Sequence, residues 1–395
     1  MSEDRGISLA QQGRGRGCGC LLVVLALAAA AAFGVYFKLY RPKGPRLPSA
    51  SGGELQVHVL DVGQGDAILI IAPDGKAALV DAGDAAHASV VRDALNRYGV
   101  QHLDYFVATH PHPDHIGGAA DVLKTIKVLN VLDSGIPPPD FEESAATPAQ
   151  NAKGKTKGQS AKPTPKPRAS KAQLPTTKTY TEFRAAVQQS GAQLVHVAPG
   201  QHYDLSSNGD VRLTVLAPIP PPFTKDQMRA GGNEPNANSV VLQLDYGNFS
   251  LLLPGDAEAQ TEQRLLSTNA NITARILKVA HHGSKYATSD EFLRHVKPEA
   301  AIISVSEFNP YGQPAQSVLD RLKAAGIKLY RTDLQGEITL TSKGDDYEIK
   351  TMKETKGDLY TGRAGTKDDS ARSGFIAYGD FGPPPRQPKK TSGQR

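Results

Sequence analysis

The sequence predicts an α/β fold with two β-sheets and helices on the outside. Short apolar runs of strand length alternate with segments of helical spacing between residues 54 and 352. Several runs end in a polar motif containing Asp, His or Gly, as strands do where a sheet presents its edge loops to solvent. At 395 residues the chain could hold two domains, but one α/β domain with extensions at both ends fits it as well.

The predicted strands are short, apolar and bounded by turn-forming residues. In chain order they are residues 55–60, 67–71, 77–80, 103–108, 211–216, 240–244, 249–253, 274–280 and 300–305. Helices are predicted over residues 91–98, after the N-cap candidate Ser289, and over residues 314–325. Residues 246–248, Tyr-Gly-Asn, predict a hairpin turn between two strands.

Charge and cysteine usage exclude some classes of function. The net charge of +5 is modest for this length, so the whole chain carries no nucleic-acid-binding signature. Both cysteines, Cys18 and Cys20, precede the first apolar run, which leaves the predicted domain without a thiol. A cysteine nucleophile, a cysteine-ligated metal and a disulfide framework are therefore excluded there.

Residues 21–37 form an uncharged, mostly apolar run near the short limit for a membrane helix. A cleaved signal peptide is the alternative, because the Ala-rich end resembles a cleavage region. The run exceeds a usual signal core, which favours an uncleaved anchor. Such an anchor usually exports the body that follows. We therefore expect a single-pass membrane protein with an extracytoplasmic domain, or a secreted domain if the segment is cleaved.

Composition divides the rest of the chain. Residues 1–20 are a basic N-terminal segment, and residues 38–53 are a linker rich in Pro, Gly and Ser. Residues 54–352 are the predicted domain. Within it, residues 135–179 are basic and lack apolar periodicity, which predicts a disordered insertion. This insertion could touch an anionic polymer, although a solvated loop is the commoner meaning of such a run. Residues 353–395 predict a disordered polar tail.

The strongest functional signal is the segment 109–115, Thr-His-Pro-His-Pro-Asp-His, on a predicted strand-to-helix loop. It offers the imidazoles of His110, His112 and His115. With the carboxylate of Asp114, these are ligands that suit zinc, manganese or iron. The two prolines restrict the backbone, which holds ligands in place before a metal arrives. An adventitious His-rich tract is the alternative, and the motifs elsewhere in the chain argue against it.

Three further motifs place polar groups directly after apolar runs. Asp81 follows Leu-Val, Asp256 follows Leu-Pro-Gly, and the pair His281-His282 follows Lys-Val-Ala. One such motif alone is commonly an ordinary turn, because Asp and Gly favour turns. Together with the His loop, the three form a constellation in which Asp256 is suited to bridge two cations.

These motifs resemble the metallo-β-lactamase superfamily, and more narrowly the metal-dependent domain of the DNA-uptake competence protein ComEC. They are residues 58–66 (His-Val-Leu-Asp-Val-Gly-Gln-Gly-Asp), 79–83, 109–118, 238–239, 253–256, 281–284 and 309–314. They occur in the family's order and cover nearly all of residues 54–342. The His loop is specific to the superfamily, whereas Asp-Val-Gly-Gln-Gly-Asp and His-His-Gly-Ser narrow the resemblance to the ComEC-like branch.

The resemblance implies a four-layer αββα sandwich with a site for two divalent metal ions, Zn²⁺ or Mn²⁺, at one edge. Carried over residue by residue, the ligands are His110 and His112 for the first ion, Asp114 and His115 for the second, Asp256 as the bridge, and His281 or His282 to complete the site. Asp81 would orient the His loop without touching an ion.

Two positions depart from the pattern of the wider superfamily. A further His ligand before the bridging Asp is missing here, and Asn238 or Ser239 is the positional candidate for its place. Gln313 stands where relatives often carry His, which puts one ligand or proton donor in doubt. His196 and His202 do not fill these roles, and we expect them to be structural or exposed.

The function implied by the resemblance is hydrolysis by a metal-activated water. We expect a phosphodiesterase or nuclease acting on DNA or another phosphodiester, with Asp114 and Asp256 as catalytic carboxylates. Ser284 and Lys285 are candidates to bind phosphate, although Lys285 also fits a plain surface residue. No protein partner can be inferred.

Three other functions compete with this expectation. A hydrolase of a small ester, lactone, lactam or cyclic nucleotide is the main alternative, since the same water activation would serve it. A structural metal is disfavoured, because the candidate ligands outnumber the four that structural zinc uses. ComEC proteins also contain many membrane spans that form a DNA channel. With one apolar segment at 21–37, we expect a tethered hydrolase rather than the channel, and no role in DNA uptake follows.

Overall fold

The structure is a computed structural model that describes residues 53–141, 175–228, 234–268 and 270–363. The predicted basic segment, the anchor at 21–37 and nearly all of the linker lie outside these residues, as does most of the predicted insertion and tail. Among the described residues, no helix has both the length and the hydropathy needed to cross a bilayer.

The described residues form an eight-stranded sheet and a seven-stranded sheet. In chain order the strands are β1 (Leu55–Val59), β2 (Ile68–Ile71), β3 (Ala77–Val80), β4 (His102–Ala108), β5 (Lys127–Asp133), β6 (Gln193–His196), β7 (His202–Asp204), β8 (Val211–Ala217), β9 (Val241–Tyr246), β10 (Phe249–Leu253), β11 (Ile276–Lys278), β12 (Ala300–Ile303), β13 (Lys328–Arg331), β14 (Ile338–Ser342) and β15 (Tyr347–Thr351). The predicted hairpin at 246–248 joins β9 to β10.

Helices occupy the connections between these strands. In chain order they are α1 (Ala88–Arg97), α2 (Pro113–Ile116), α3 (Ala119–Thr125), α4 (Pro175–Ser190), α5 (Glu234–Ala237), α6 (Ala259–Ser267), α7 (Asp290–Val296), α8 (Gln316–Ala324) and α9 (Thr332–Gln335). As predicted, Ser289 caps α7, its side chain accepting a hydrogen bond from the backbone N–H of Phe292.

Strand direction brings the polar motifs to one edge. The first sheet has the order β15-β14-β1-β2-β3-β4-β5-β6, and the second has the order β13-β12-β11-β10-β9-β8-β7. Strands β3 to β6 are parallel, and so are β10 to β13. Parallel neighbours present their carboxyl ends at the same edge. The two edges meet where the backbone N–H of Val240 donates to the carbonyl of Thr109 at 2.9 Å.

Three buried apolar clusters separate the layers. Val57 and Leu213 belong to the cluster between the sheets. Val91 of α1 and Phe183 of α4 pack on the outer face of the first sheet, and Leu319 of α8 packs on that of the second. Full burial of one such side chain contributes roughly 1.5–3 kcal/mol. The predicted two-sheet α/β fold with outer helices is therefore confirmed, and its layers are αββα.

The predicted insertion is too wide at both ends. Helix α4 begins at Pro175, and Phe141 packs edge-to-face on Tyr180 with ring centroids 5.0 Å apart. The hydroxyl of Thr177 also donates to Asp140. Residues 135–141 and 175–179 thus belong to the folded body. The first turn of α4 has little apolar periodicity of its own, which is why the sequence pattern placed it in the insertion.

The folded body also extends past the predicted domain boundary at its C-terminal end. The guanidinium of Arg331 is fully buried and donates to the carbonyls of Leu359 at 3.0 Å and Thr361 at 2.6 Å. Its other edge pairs with Asp333 at 2.7 Å, and Arg363 pairs with the same carboxylate at 2.7 Å. These contacts hold residues 359–363 against the end of β13.

We predict that Asp333→Asn lowers the free energy of unfolding by about 3–5 kcal/mol, because it leaves the buried Arg331 without its counter-ion. Urea denaturation of the full-length protein measures this change. Glu348→Gln is the control, since Glu348 pairs with Lys350 in the open and its loss should change stability by less than about 1 kcal/mol. Equal losses of stability in the two variants would contradict the role of Asp333 as the counter-ion of Arg331.

Candidate metal centre

The His loop is built by the end of β4 and the start of α2. His112 is extended at φ −74° and ψ 147°, and it directly precedes Pro113, the first residue of α2. His110 therefore projects from the loop, whereas Asp114 and His115 project from the first helical turn. Proline suits this position, because its fixed φ matches the helix and its missing N–H would have no partner there. His110, Asp114 and His115 are buried, and His112 is half-buried.

Asp81 orients the His loop, as the resemblance implied. Its fully buried carboxylate accepts hydrogen bonds from the backbone N–H of Thr109 at 2.8 Å and from the Thr109 hydroxyl at 2.7 Å. It also lies 2.7 Å from Nδ1 of His115. Burial raises the pKa of Asp81, and these partners oppose the rise. With Nδ1 engaged, Nε2 of His115 is left to face the centre of the cluster.

The carboxylate of Asp256 lies between two sets of imidazoles. Its Oδ1 is 3.3 Å from Nε2 of His115 and 3.5 Å from Nε2 of His282. Its Oδ2 is 3.8 Å from Nε2 of His110 and 3.7 Å from Nε2 of His281. Each oxygen thus faces a different pair of rings.

Two groups of ligand-type atoms share Asp256. They are His110, His112 and Asp256 in one group, called here the first position, and Asp114, His115, Asp256 and His282 in the other, called here the second position. The ligand atoms of each group lie within 4.8 Å of one another. This donor set, buried and made of imidazole and carboxylate, fits zinc or manganese at either position.

Close pairs of ring nitrogens support this fit. Nε2 of His110 lies 3.0 Å from Nδ1 of His112, and Nε2 of His115 lies 3.3 Å from Nε2 of His282. Two imidazole nitrogens that both act as ligands can approach this closely, because a shared cation balances the repulsion of their lone pairs.

The pKa values show how the cluster balances its charges without a metal. Burial alone would raise the pKa of Asp256, but His115, His282 and His281 outweigh it and hold that pKa well below its usual range. Burial would lower the pKa of His115, yet the carboxylates of Asp256 and Asp81 hold it well above the usual value. The pKa of His282 is raised in the same way, mainly by Asp256. Burial lowers the pKa of His110 well below the usual value.

The structure distinguishes the two histidines of the His-His pair. Nδ1 of His282 lies 2.8 Å from the carbonyl of Ser304, which leaves its Nε2 for the second position. His281 falls outside both groups and lies beside Asn236, whose Nδ2 is 3.3 Å from its Nε2. Both histidines have positive φ, 49° and 53°, which is unusual for residues other than glycine.

A buried ion pair behind His282 was not predicted from the sequence. Nζ of Lys278 lies 2.8 Å from Oδ1 of Asp66, and that oxygen is 3.6 Å from Nδ1 of His282. Both partners are almost fully buried. A lysine inside the apolar run before the His pair was the available signal, since a buried lysine requires a partner.

The structure does not bring Asn238 to the cluster. Its amide exchanges hydrogen bonds with the backbone of Phe223 at 2.8 Å in both directions, and it donates to the carbonyl of Glu234. The expectation that Asn238 stands beside the metal ions is therefore wrong, because its side chain holds a neighbouring loop instead. The hydroxyl of Ser239 does support the centre, since it accepts from the backbone N–H of Asp256 at 3.3 Å.

The remaining residues singled out in the sequence lie around the ligand cluster or away from it. Ser284 is buried and stabilises the turn after the His pair, whereas Lys285 is exposed with its ammonium 5.1 Å from the ring centre of Tyr286. Gln313 is buried and accepts a hydrogen bond from Gln64 at 2.8 Å. His196 and His202 lie away from the cluster, as expected. Both are exposed; His196 pairs with Asp133, and His202 lies on β7.

Comparison with known proteins agrees with this geometry. Residues 60–209 match the metallo-β-lactamase superfamily. ComE operon protein 3 of Bacillus subtilis is 30% identical over 303 residues, which are 72% of this chain and 33% of that protein.

The chain contains a domain of the metallo-β-lactamase superfamily, and it is similar to competence proteins of the ComEC family.

A second relative matches this metallo-β-lactamase domain over similar shares of the two chains. Recombination protein 2 of Haemophilus influenzae is 29% identical over 75% of this chain and 30% of its own length. The chain therefore spans about a third of the length of these curated relatives. Among solved structures, a CmlA β-hydroxylase aligns with a TM-score of 0.42 at 12% identity, over 74% of this chain and 54% of that one.

We predict that Asp81→Asn weakens metal binding about 10- to 100-fold, because His115 loses the carboxylate that orients it. Competition with a chromogenic chelator measures the dissociation constant. Glu262→Gln is the matched control, since that carboxylate is equally buried but caps the start of α7 through Thr288 and Ser289. The control should lose stability and keep its metal affinity.

We also predict that metal binding releases protons and weakens as the pH falls. The raised pKa values of His115 and His282 favour their charged forms, and only neutral imidazole can bind a metal. Acid therefore favours the metal-free cluster. Calorimetric titration in buffers of different ionisation enthalpy counts the protons. A binding enthalpy that is independent of the buffer would contradict the prediction.

Proposed function

We propose that this domain is a metal-dependent hydrolase that cleaves phosphodiester bonds, with DNA as its substrate. The observation that carries the proposal is the pair of ligand groups on either side of Asp256. Two cations held side by side can contact both the attacking and the leaving oxygen of a phosphoryl displacement, which suits a phosphodiester. Lysines in the sequence between residues 142 and 174 add positive charge that favours an anionic polymer.

Two divalent ions, Zn²⁺ or Mn²⁺, would occupy the two positions. The first would be held by His110, His112 and Asp256, and the second by Asp114, His115, Asp256 and His282. When bound, they would supply an activated water near neutral pH and stabilise developing negative charge.

The protein's own groups prepare this chemistry. The Asp256 carboxylate stays ionised because His115, His282 and His281 hold its pKa low, so it can bind a cation without first losing a proton. Burial would raise the pKa of Asp114, but the hydrogen bond from His282 and the charge of His115 lower it instead. Ser304 and Asp81 hold His282 and His115 in fixed orientations.

Substrate would approach from the side of His112 and His281. These two rings are half-buried, whereas His110, His115 and His282 are buried. Lys285 is exposed a few residues beyond His281, so it is placed to meet a phosphate arriving there. We further propose that residues 21–37 anchor the domain on the extracytoplasmic side of a membrane.

The test is hydrolysis by the full-length protein, loaded with Mn²⁺ or Zn²⁺, of single-stranded DNA and of a chromogenic phosphodiester. We predict that DNA is cleaved, that EDTA abolishes cleavage, and that His112→Ala and Asp256→Ala reduce it to background. His202→Ala should retain activity, because His202 is exposed on β7 outside both ligand groups.

The other outcomes separate the competing functions. Cleavage of the small diester with DNA untouched would favour a small-molecule hydrolase. Absence of both activities with two metal ions bound would refute the phosphodiesterase proposal and leave the metal centre standing.

A further inference from the structure

The two metal positions are unequal in their ligands. The second position has four residues in reach, whereas the first has only His110, His112 and Asp256 among the described residues. A fourth protein group at the first position would make the two alike. Neither Asn238 nor Ser239 offers a free side chain for it, because Asn238 bonds to Phe223 and the Ser239 hydroxyl accepts from Asp256.

Asn236 has the properties of such a group. It lies on α5, is 2% exposed, and its Oδ1 is buried without a hydrogen-bond partner in the described part of the chain. An amide oxygen left buried in this way is unfavourable, because it has lost its hydrogen bonds to water without gaining others. Its neighbours are His281, which its amide contacts, and the ligand candidate His112, whose pKa is lowered by burial and raised in part by the Asn236 side chain.

The orientation of the amide follows from its contact with His281. Nδ2 of Asn236 lies 3.3 Å from Nε2 and 3.5 Å from Nδ1 of that ring. A neutral imidazole nitrogen accepts a hydrogen bond from an amide N–H, but it cannot satisfy the amide oxygen unless it carries a proton itself. With Nδ2 turned to His281, the oxygen is directed away from that ring.

His281 also belongs to the same side of the cluster. Its Nε2 is 3.7 Å from Oδ2 of Asp256, the oxygen that faces His110. Its Nδ1 is 3.7 Å from the buried carboxylate of Glu258. The ring thus lies beside both Asn236 and the first position, where it can hold the amide in place.

We propose that the side-chain oxygen of Asn236 completes the first metal position as its fourth protein ligand. His281 is a positioning residue that accepts the amide N–H and so keeps the oxygen turned toward the metal. This inference rests on the metal-binding part of the proposed function and is independent of the substrate.

The test compares three variants of the full-length protein by metal content and affinity. Asn236→Ala should lose one of the two bound equivalents after dialysis. If it keeps both equivalents, the more weakly bound ion should have a dissociation constant at least 10-fold higher than in the wild-type protein. This is about the effect of removing a group that contacts a metal ligand. Asn236→Asp keeps the shape and the oxygen but replaces the N–H₂ group, so it should retain both equivalents. Equilibrium dialysis with Zn²⁺ or Mn²⁺ and elemental analysis give the stoichiometry, and a competing chelator gives the affinity.

Asn238→Ala is the matched control, because Asn238 is equally buried two residues away and bonds only to backbone groups of Phe223 and Glu234. It should lose stability and keep both equivalents per folded molecule. A loss of metal common to Asn236→Ala and Asn238→Ala would therefore reflect disturbed folding of α5 and overturn the proposal.

Two other results would overturn it. Unchanged stoichiometry and affinity in Asn236→Ala would show that the oxygen is not a ligand. Loss of metal in Asn236→Asp to the same degree as in Asn236→Ala would show that the amide acts as a donor to His281 instead. A wild-type protein that binds two ions with the predicted variant pattern but hydrolyses nothing would uphold this inference and refute the proposed function.

Discussion

The Asp256 carboxylate is the contact on which the centre depends. It follows β10 of the second sheet, whereas the His loop follows β4 of the first, so the centre exists only where the two edges meet. One oxygen faces His115 and His282, and the other faces His110 and His281. The hydrogen bond between Val240 and Thr109 keeps these edges in register.

The charged groups around the centre are buried, so each of them needs a partner of opposite charge. A buried carboxylate or imidazolium is expensive unless partners balance it. Here Asp81 balances His115, Lys278 balances Asp66, and Asp256 is surrounded by histidines. These contacts hold the ligand-type side chains of the cluster in fixed positions. Preorganisation of this kind is what a catalytic metal site needs.

Local sequence patterns predicted much of the fold and site. Nine of the fifteen strands in the described residues, the hairpin at 246–248 and the cap at Ser289 follow from apolar runs and turn chemistry within a few residues, whereas β5–β7 and β13–β15 were not predicted. The His loop was also readable, because its ligands lie within one strand-to-helix connection. The sequence did not predict the first turn of α4 or the ordered start of the tail up to residue 363. Both segments are polar, and contacts with residues distant in the sequence, such as Arg331, hold them in place.

By itself, the sequence determined the fold class, the superfamily and the set of residues from which a metal centre could be built. Only the tertiary structure decided that His282, and not His281, joins the second position, and that Asn236 rather than Asn238 contacts His281 beside Asp256. Neighbouring residues differ in these roles because backbone direction at each strand end sets where a side chain points. That direction depends on how the two sheets pack, which a linear pattern of residues does not record.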